Sequence, residues 1–234
     1  MSFTEEKRHN QILATLTDDD WGRWLSALEL VHLKAGNVVT AIGEKLQYVY
    51  FPTTAILSLT HLLREGGTIE IAMVGSEGMS GFNILLGGGF STQQVVVLHS
   101  GKAYRLKSSW ITDELQRTPE LMHQILRFTQ ALFTQISQVG ACNRHHPLEQ
   151  QLSRWLLSYA DRSNANIIFC TQETIANRLG VRRERVAKAA FNFQKNGIIQ
   201  YSRGEIKILN RMVLEKNTCE CYATVKLEYE RLRA

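Results

Sequence analysis

Three charged residues with suggestive spacing lie in the segment VRRERVAK: Arg183, Glu184 and Lys188. In a helix of 3.6 residues per turn they share one face, opposite an apolar face that includes Val186. An arginine in such a position can donate two hydrogen bonds to O6 and N7 of guanine, and a glutamate can accept one from N4 of cytosine. Lys188 can reach a guanine or a phosphate. The chemistry predicted for this segment is therefore hydrogen bonding to base edges from a helix in the major groove of DNA.

Two helices joined by a sharp turn are needed to position these side chains. Thr171 is suited to cap the first helix, whose apolar face includes Ile175 and Leu179. Gly180 stands where the chain must turn, in a left-handed conformation that glycine adopts easily, and Gly197 ends the second helix. The pattern predicts a helix-turn-helix centred on Thr171 to Ala189. The alternative is that Glu184 and Lys188 form only an i,i+4 ion pair on a solvated helix.

A β-hairpin is predicted directly after the second helix, in the segment QYSRGEIKIL, with a tight turn at 203–205. This would make the motif a winged helix-turn-helix, although a loose surface hairpin is the alternative. Polar residues of the motif and the wing are predicted to bind phosphates, which adds affinity without sequence information. They are Thr171, Gln172, Arg178, Arg182, Arg185, Ser202 and Arg203, with Lys207 as a further candidate.

The distribution of charge agrees with a polyanion partner for the C-terminal part. Residues 147–234 hold 15 Lys and Arg against 9 Asp and Glu, whereas residues 1–146 hold 12 against 13. Such an asymmetry is typical of nucleic-acid-binding domains, although basic solvated surfaces are also common.

The first half of the chain has the pattern of a β-roll or barrel. A helix is predicted from Trp21 to about Leu30, after the acidic run 18–20. Twelve of the sixteen glycines lie before residue 102 and separate short apolar runs. The predicted strands are 37–41, 48–51, 56–63, 68–74, 93–99 and 103–106.

A continuous apolar stripe follows, at helical spacings of four and three. It consists of Leu121, Ile125, Phe128, Leu132, Ile136 and Val139. The stripe predicts a long helix that either pairs with a second copy of the chain or packs on its own domain. Pro147 then marks a junction. We therefore predict an α+β protein with a sensor domain over 1–112, a dimerisation helix over 113–146 and a DNA-binding domain over 147–234.

Several classes of protein are disfavoured. The sequence shows no nucleophile–base pair, paired carboxylates or phosphate-binding loop, so catalysis is not expected. No apolar run approaches the roughly 20 residues of a membrane span, and a cytoplasmic location is predicted. Cys142 and Cys170 are interpreted as buried small hydrophobes. Cys219 and Cys221 form a C-x-C pair with no second pair nearby, so no metal site is predicted there. No other cofactor is predicted.

The segment GVRRERVAK resembles the pattern G-x-S-R-E-x-V-x-R of the CRP/FNR superfamily, named for the cyclic-AMP receptor protein and the fumarate and nitrate reduction regulator. The stretches KAGNVVTAIGEKLQYVYFP and VGSEGMSGFNILLGG look like the family's sensor domain. The resemblance covers nearly the whole chain and carries Arg183 and Glu184 over as base readers. Lys188 stands where the family usually has arginine. Arg182 stands where it has serine, so a helix cap is lost and a charge is gained.

The resemblance implies a cyclic-nucleotide-binding-like β-roll, a long dimerisation helix and a winged helix-turn-helix. It implies a homodimer on palindromic DNA, with RNA polymerase as a further candidate partner. The family's nucleotide binders use F-G-E-L and R-[ST]-A, but Phe82 stands at the glutamate position, and Ser91, Thr92 and Gln93 replace the second motif. Without ionic pairing to a phosphate, no tight cyclic-AMP or cyclic-GMP binding is expected. The alternative is a regulator gated by an unidentified small molecule or a cyclic nucleotide in the β-roll.

Redox cofactors known in the family are also not predicted. The iron–sulfur members carry cysteines near the N-terminus, whereas the first cysteine here is Cys142. The seven histidines are candidate haem ligands by type only, and each is interpreted as a surface or core residue.

Overall fold

A computed structural model describes residues 9–64 and 66–232. It divides into two compact units. Among the described residues, the first comprises 9–59, 74–133 and 228–232, and the second comprises 60–64, 66–73 and 134–227. The order of elements is mixed helix and sheet, as the α+β prediction requires, with β-strands dominating the first half and helices the second.

The N-terminal part begins with a 3₁₀ turn, Leu13–Thr15, and helix α1, Asp18–Ala27. The Thr17 hydroxyl accepts from the amide of Asp20 and caps α1, whose first turn holds the acidic run. Seven strands follow and form two sheets, of order β1-β7-β3 and β2-β6-β4-β5. The strands are β1 Glu29–Leu33, β2 Val38–Thr40, β3 Tyr48–Pro52, β4 Ile56–Leu62, β5 Thr68–Val74, β6 Gln94–His99 and β7 Gly101–Lys107.

The prediction that the first helix continues to about Leu30 is wrong. Helix α1 ends at Ala27, and Leu30 lies in strand β1, opposite Tyr104 of β7. The apolar residues after Ala27 suit both a helix and a strand, and the antiparallel ladder with β7 decides for the strand. The other predicted strands are present with ends within one residue of the prediction, except that β7 begins two residues earlier, at Gly101.

Helix α2, Ser108–Glu114, and a 3₁₀ turn, Leu115–Arg117, precede the long helix α3, Pro119–His145. The long helix therefore begins six residues later than the predicted residue 113. Proline at its first position suits a helix start, because its ring presets φ and the missing N–H has no partner there anyway.

The apolar stripe of α3 faces the interior of its own chain. Leu121, Ile125, Phe128, Leu132 and Val139 are all buried, and Ile136 is half-buried. Phe128 illustrates the close packing, because a Cβ at Gly78 would lie only 2.0 Å from its ring. These residues fit the alternative interpretation, a helix packed on its own chain, and they leave little surface for a partner. The periodicity was compatible with both interpretations.

The second unit carries a three-stranded sheet of order β8-β10-β9 and the remaining helices, except for the last residues of the final helix. The helices are α4 Leu148–Ser163, α5 Gln172–Leu179, α6 Arg183–Lys195, α7 Arg211–Lys216 and α8 Glu220–Arg231. The strands are β8 Ile167–Phe169, β9 Ile199–Ser202 and β10 Glu205–Ile208. Pro147 separates α3 from α4, as its position in the sequence predicts. Within the described part of the chain, no helix combines the length and the apolarity that a membrane span requires.

Candidate nucleic-acid interface

Helices α5 and α6 form a helix-turn-helix. The Thr171 hydroxyl accepts from the amide of Thr174 at 3.1 Å and caps α5, as predicted. Gly180 ends α5 with φ +65°, in the left-handed conformation that was predicted for it from the sequence. The next amide, of Val181, donates to the carbonyl of Ala176 at 3.0 Å and closes the turn. Local hydrogen bonds thus set the turn between the two helices.

The start of α6 presents a cluster of exposed charges. Arg183 occupies its first helical position, and Glu184 and Lys188 follow on the same exposed side. Arg182 stands at the N-cap without a side-chain hydrogen bond to the helix, which agrees with the loss of a capping serine. The amides of this helix start add a positive partial charge of their own. An exposed basic helix N-terminus of this kind is suited to bind a polyanion.

The opposite face of α6 is apolar and fixes the helix in its unit. Its buried side chains are Val186, Ala189, Ala190 and Phe193. Burial of this apolar face fixes the orientation of the helix, and the charged side chains therefore stay on its exposed side. The structure therefore shows the two faces that the sequence predicts for this helix.

The predicted wing is present as the hairpin of β9 and β10. Ser202 pairs with Glu205 across a two-residue turn, in which Arg203 has φ +48° and Gly204 φ +84°. Two successive positive φ values are typical of the type I′ turn that tight hairpins prefer. Ser202, Arg203 and Lys207 are exposed on this hairpin. Strand β8, which was not predicted from the sequence, pairs with β10 and extends the wing to three strands.

Two of the predicted phosphate-binding residues, Gln172 and Arg178, are half-buried and therefore less accessible to a ligand. The backbone amide of Gln172 donates to the Tyr201 hydroxyl at 3.2 Å, so only its half-buried side chain remains for a ligand. Arg178 is half-buried, and its Nε is enclosed without a hydrogen-bond partner among the described residues. By contrast, Thr171, Arg182 and Arg185 are exposed.

One residue on the exposed side of α6 was not identified from the sequence. Phe191 lies three residues after Lys188 and is 65% exposed. Aromatic side chains of this size are usually buried, so the exposure of Phe191 is informative. Phenylalanine can contact the methyl group of thymine in the major groove. A helical-wheel projection of 183–195 would have placed it beside Lys188.

Two side chains with polar groups, Trp155 and Cys170, are buried in the same unit as the helix-turn-helix. The indole N–H of Trp155, on α4, donates to the buried carboxylate of Glu70 at 2.9 Å. Cys170, which precedes α5, is buried, and burial raises the pKa of its thiol to about 12. Cys170 therefore stays protonated at neutral pH, in agreement with its interpretation as a small hydrophobe.

The residues of the predicted degenerate nucleotide pocket lie in the roll, in the first unit. Phe82 begins a 3₁₀ turn and packs edge-on against Phe128, with ring centroids 6.4 Å apart. Ser91 is buried and donates to the carbonyl of Gln93 at 2.6 Å, whereas Thr92 is exposed. A separate cleft of about 280 Å³ in the same unit is lined by Val39, Thr40, Glu44, Lys45, Gln47, Tyr48 and Tyr50.

Comparison with known proteins agrees with this geometry. Residues 150–216 match the profile of the Crp-like helix-turn-helix domain. No curated protein sequence matches the chain. A transcriptional regulator of the crp/fnr family from Eubacterium rectale is 18% identical, with a TM-score of 0.70 over 90% of this chain and 98% of that one.

Two further solved structures share the fold. FixK2 from Bradyrhizobium japonicum is 15% identical, with a TM-score of 0.67 over 82% of this chain and 98% of its own. The c-di-GMP responsive global regulator CLP from Xanthomonas campestris is 10% identical, with a TM-score of 0.67 over 80% and 96%. The Eubacterium rectale and Xanthomonas campestris proteins are described as regulators. The chain thus has the fold of CRP/FNR transcription regulators and carries a Crp-like helix-turn-helix domain at residues 150–216.

Proposed function

We propose that the protein is a sequence-specific transcription regulator that binds palindromic DNA as a homodimer and is not gated by a cyclic nucleotide. The observation that carries this proposal is the exposed charged start of α6, held by a buried apolar face within a Crp-like helix-turn-helix domain. Arg183, Glu184 and Lys188 read bases. The exposed residues Thr171, Arg182, Arg185, Ser202 and Arg203 bind phosphates, with the side chains of Gln172 and Arg178 beside them.

The base-reading assignment is tested by selecting bound sequences from random DNA with the purified full chain. Arg183→Glu is compared with Arg185→Glu, since both arginines are exposed near the start of α6. Loss of a bidentate arginine–guanine contact costs about 1–3 kcal/mol of discrimination at one base pair, roughly 5- to 150-fold. We expect Arg183→Glu to lose the sequence preference at one base pair of each half-site, and Arg185→Glu to keep every preference with uniformly weaker binding.

Salt dependence separates the two roles further. Each lost phosphate contact reduces the slope of log K against log salt by about 0.9. An unchanged preferred sequence in Arg183→Glu would show that this residue does not read bases.

The dimer requires a surface other than the buried stripe of α3. Leu126 and Phe133 lie seven residues apart on the same side of this helix and are 53% and 66% exposed. Large exposed apolar side chains on one helix face are suited to pair with the same face of a second copy. We assign the interface between copies to this face.

Sedimentation of the full chain tests the interface. The wild type should sediment as a dimer and Phe133→Glu as a monomer. Phe169→Glu is a matched control, because Phe169 is 61% exposed but lies on strand β8. A Phe133→Glu variant that remains dimeric would contradict this interface.

A second candidate function is a regulator gated by a small molecule in the roll. The cleft beside Glu44 and Lys45 offers a volume for such a ligand, and the CLP regulator of the same fold is described as c-di-GMP responsive. Calorimetric titration with cyclic AMP, cyclic GMP and c-di-GMP distinguishes the two. Micromolar binding of any of them would favour the gated regulator over the ungated one.

A further inference from the structure

Three cysteines and one histidine converge in the second unit, outside the helix-turn-helix. Cys142 lies in the last turn of α3, and His146 directly follows that helix, four residues later. Cys219 directly precedes α8, and Cys221 lies in its first turn. The thiol sulfurs and an imidazole nitrogen of these residues all lie within 4.8 Å of one another. The three cysteines are buried, and none of them forms a disulfide.

The separations match the edges of a metal coordination tetrahedron. With Zn–S bonds of about 2.3 Å and Zn–N bonds of about 2.0 Å, the ligand atoms of a tetrahedral zinc site lie roughly 3.5–3.8 Å apart. The Cys142 and Cys219 sulfurs are 3.6 Å apart, and so are the Cys221 sulfur and Nδ1 of His146. No two of the four ligand atoms are more than 4.8 Å apart, which is about 1 Å above the ideal edge, and small side-chain rotations can close this difference.

Neighbouring residues orient the His146 ring and backbone and balance the charge of such a site. While Nδ1 of His146 faces the cluster, its Nε2 lies 3.4 Å from a carboxylate oxygen of Glu220, the arrangement that fixes a metal-binding imidazole. The side-chain amide of Gln151 donates to the His146 carbonyl at 2.7 Å and holds its backbone. Nε of buried Arg154 donates to the Cys142 sulfur at 3.3 Å. Its positive charge offsets the net negative charge of three thiolates and one Zn²⁺.

We propose that Cys142, His146, Cys219 and Cys221 bind one Zn²⁺ and join the end of α3 to the start of α8. Three cysteines and one histidine are a common ligand set of closed structural zinc sites, which use all four positions for protein ligands. This departs from the sequence-based expectation of no metal. The C-x-C pair was recognised there, but its partners lie more than 70 residues earlier in the chain.

Two other uses of these residues make different predictions. A disulfide between Cys142 and Cys219 would release two hydrogens to an oxidant and leave only two of the four ligands for a metal. In a [4Fe–4S] cluster each ligand binds a different iron atom, and in a [2Fe–2S] cluster two ligands bind each iron, so ligands on different irons need wider separations than those observed. The compact cluster therefore favours a single ion.

The test measures metal in the full chain, purified without chelator or reductant. We expect one zinc per chain by elemental analysis, and none in Cys219→Ser or His146→Ala. Cys170→Ser is the matched control, because Cys170 is also a buried thiol of the second unit but lies outside the cluster. It should retain the zinc.

Two further measurements start from the wild type, and the first does not depend on how any variant folds. Replacing the zinc with Co²⁺ should give one equivalent of intense visible d–d absorption, which tetrahedral thiolate coordination produces. Chelation should lower the unfolding temperature of the wild type and of Cys170→Ser, but not that of Cys219→Ser. A metal-free protein that binds no stoichiometric Co²⁺, or one isolated with a Cys142–Cys219 disulfide, would overturn the proposal. None of these readouts depends on DNA binding.

Discussion

Gly180, in the turn of the helix-turn-helix, allows a sharp test of how this motif is stabilised. Its φ of +65° and ψ of 36° lie in the left-handed region. An alanine held there costs about 1–2 kcal/mol relative to a right-handed conformation. A Cβ at this position would lie 3.2 Å from Cδ1 of Ile69, so the end of that side chain must move by a few tenths of an ångström. Because Ile69 can move at its tip, backbone strain dominates, and Gly180→Ala should lower the free energy of unfolding by about 1–2 kcal/mol.

Gly140 is the matched control, because it is an exposed glycine in a helix of the same unit. It lies inside α3, and a Cβ there would meet no atom within 4 Å. Alanine is favoured over glycine by about 0.5–1 kcal/mol in such a position. The same substitution should therefore destabilise the protein at residue 180 and stabilise it at residue 140.

Urea unfolding of both variants measures the difference directly. The two free energies should differ by roughly 1.5–3 kcal/mol, the sum of the two opposite effects. In thermal unfolding each kcal/mol should appear as about 2–4 °C. The prediction would be refuted if Gly180→Ala were as stable as the wild type, or if both substitutions changed the free energy of unfolding in the same direction. The left-handed turn would then not strain an alanine at residue 180.

Two further predictions concern buried groups of the second unit. Trp155→Phe removes the indole donor to Glu70 and should lower the free energy of unfolding by about 1–3 kcal/mol, plus a term for the smaller ring; unchanged urea unfolding would contradict this role. Because burial raises the pKa of Cys170 to about 12 from an ordinary value of 9.0, its thiolate fraction at pH 8 should be about a thousandfold lower than that of an exposed thiol. Peptide mapping after iodoacetamide treatment should find Cys170 alkylated in urea but not in the native protein, and equal labelling in both states would refute the shift.

Much of the helix-turn-helix could be predicted from the sequence, because its signals are local. Thr171 caps a helix through an amide three residues away, and Gly180 adopts a conformation that its own chemistry favours. The charged face of α6 follows from helical periodicity alone. The hairpin turn at Arg203 and Gly204 is equally local. Each of these features involves residues within one or two turns of the chain.

Features that depend on distant segments were decided only by the tertiary structure. The α3 stripe has the same periodicity whether it meets a partner or its own chain, and only the folded chain shows that residues such as Phe128 are covered from within. Strand β8 forms because it pairs with β10, which lies far along the sequence. The C-x-C pair at 219–221 became a candidate metal site when Cys142 and His146 were placed beside it. Periodicity and caps specify which elements form, whereas their neighbours depend on the path of the whole chain.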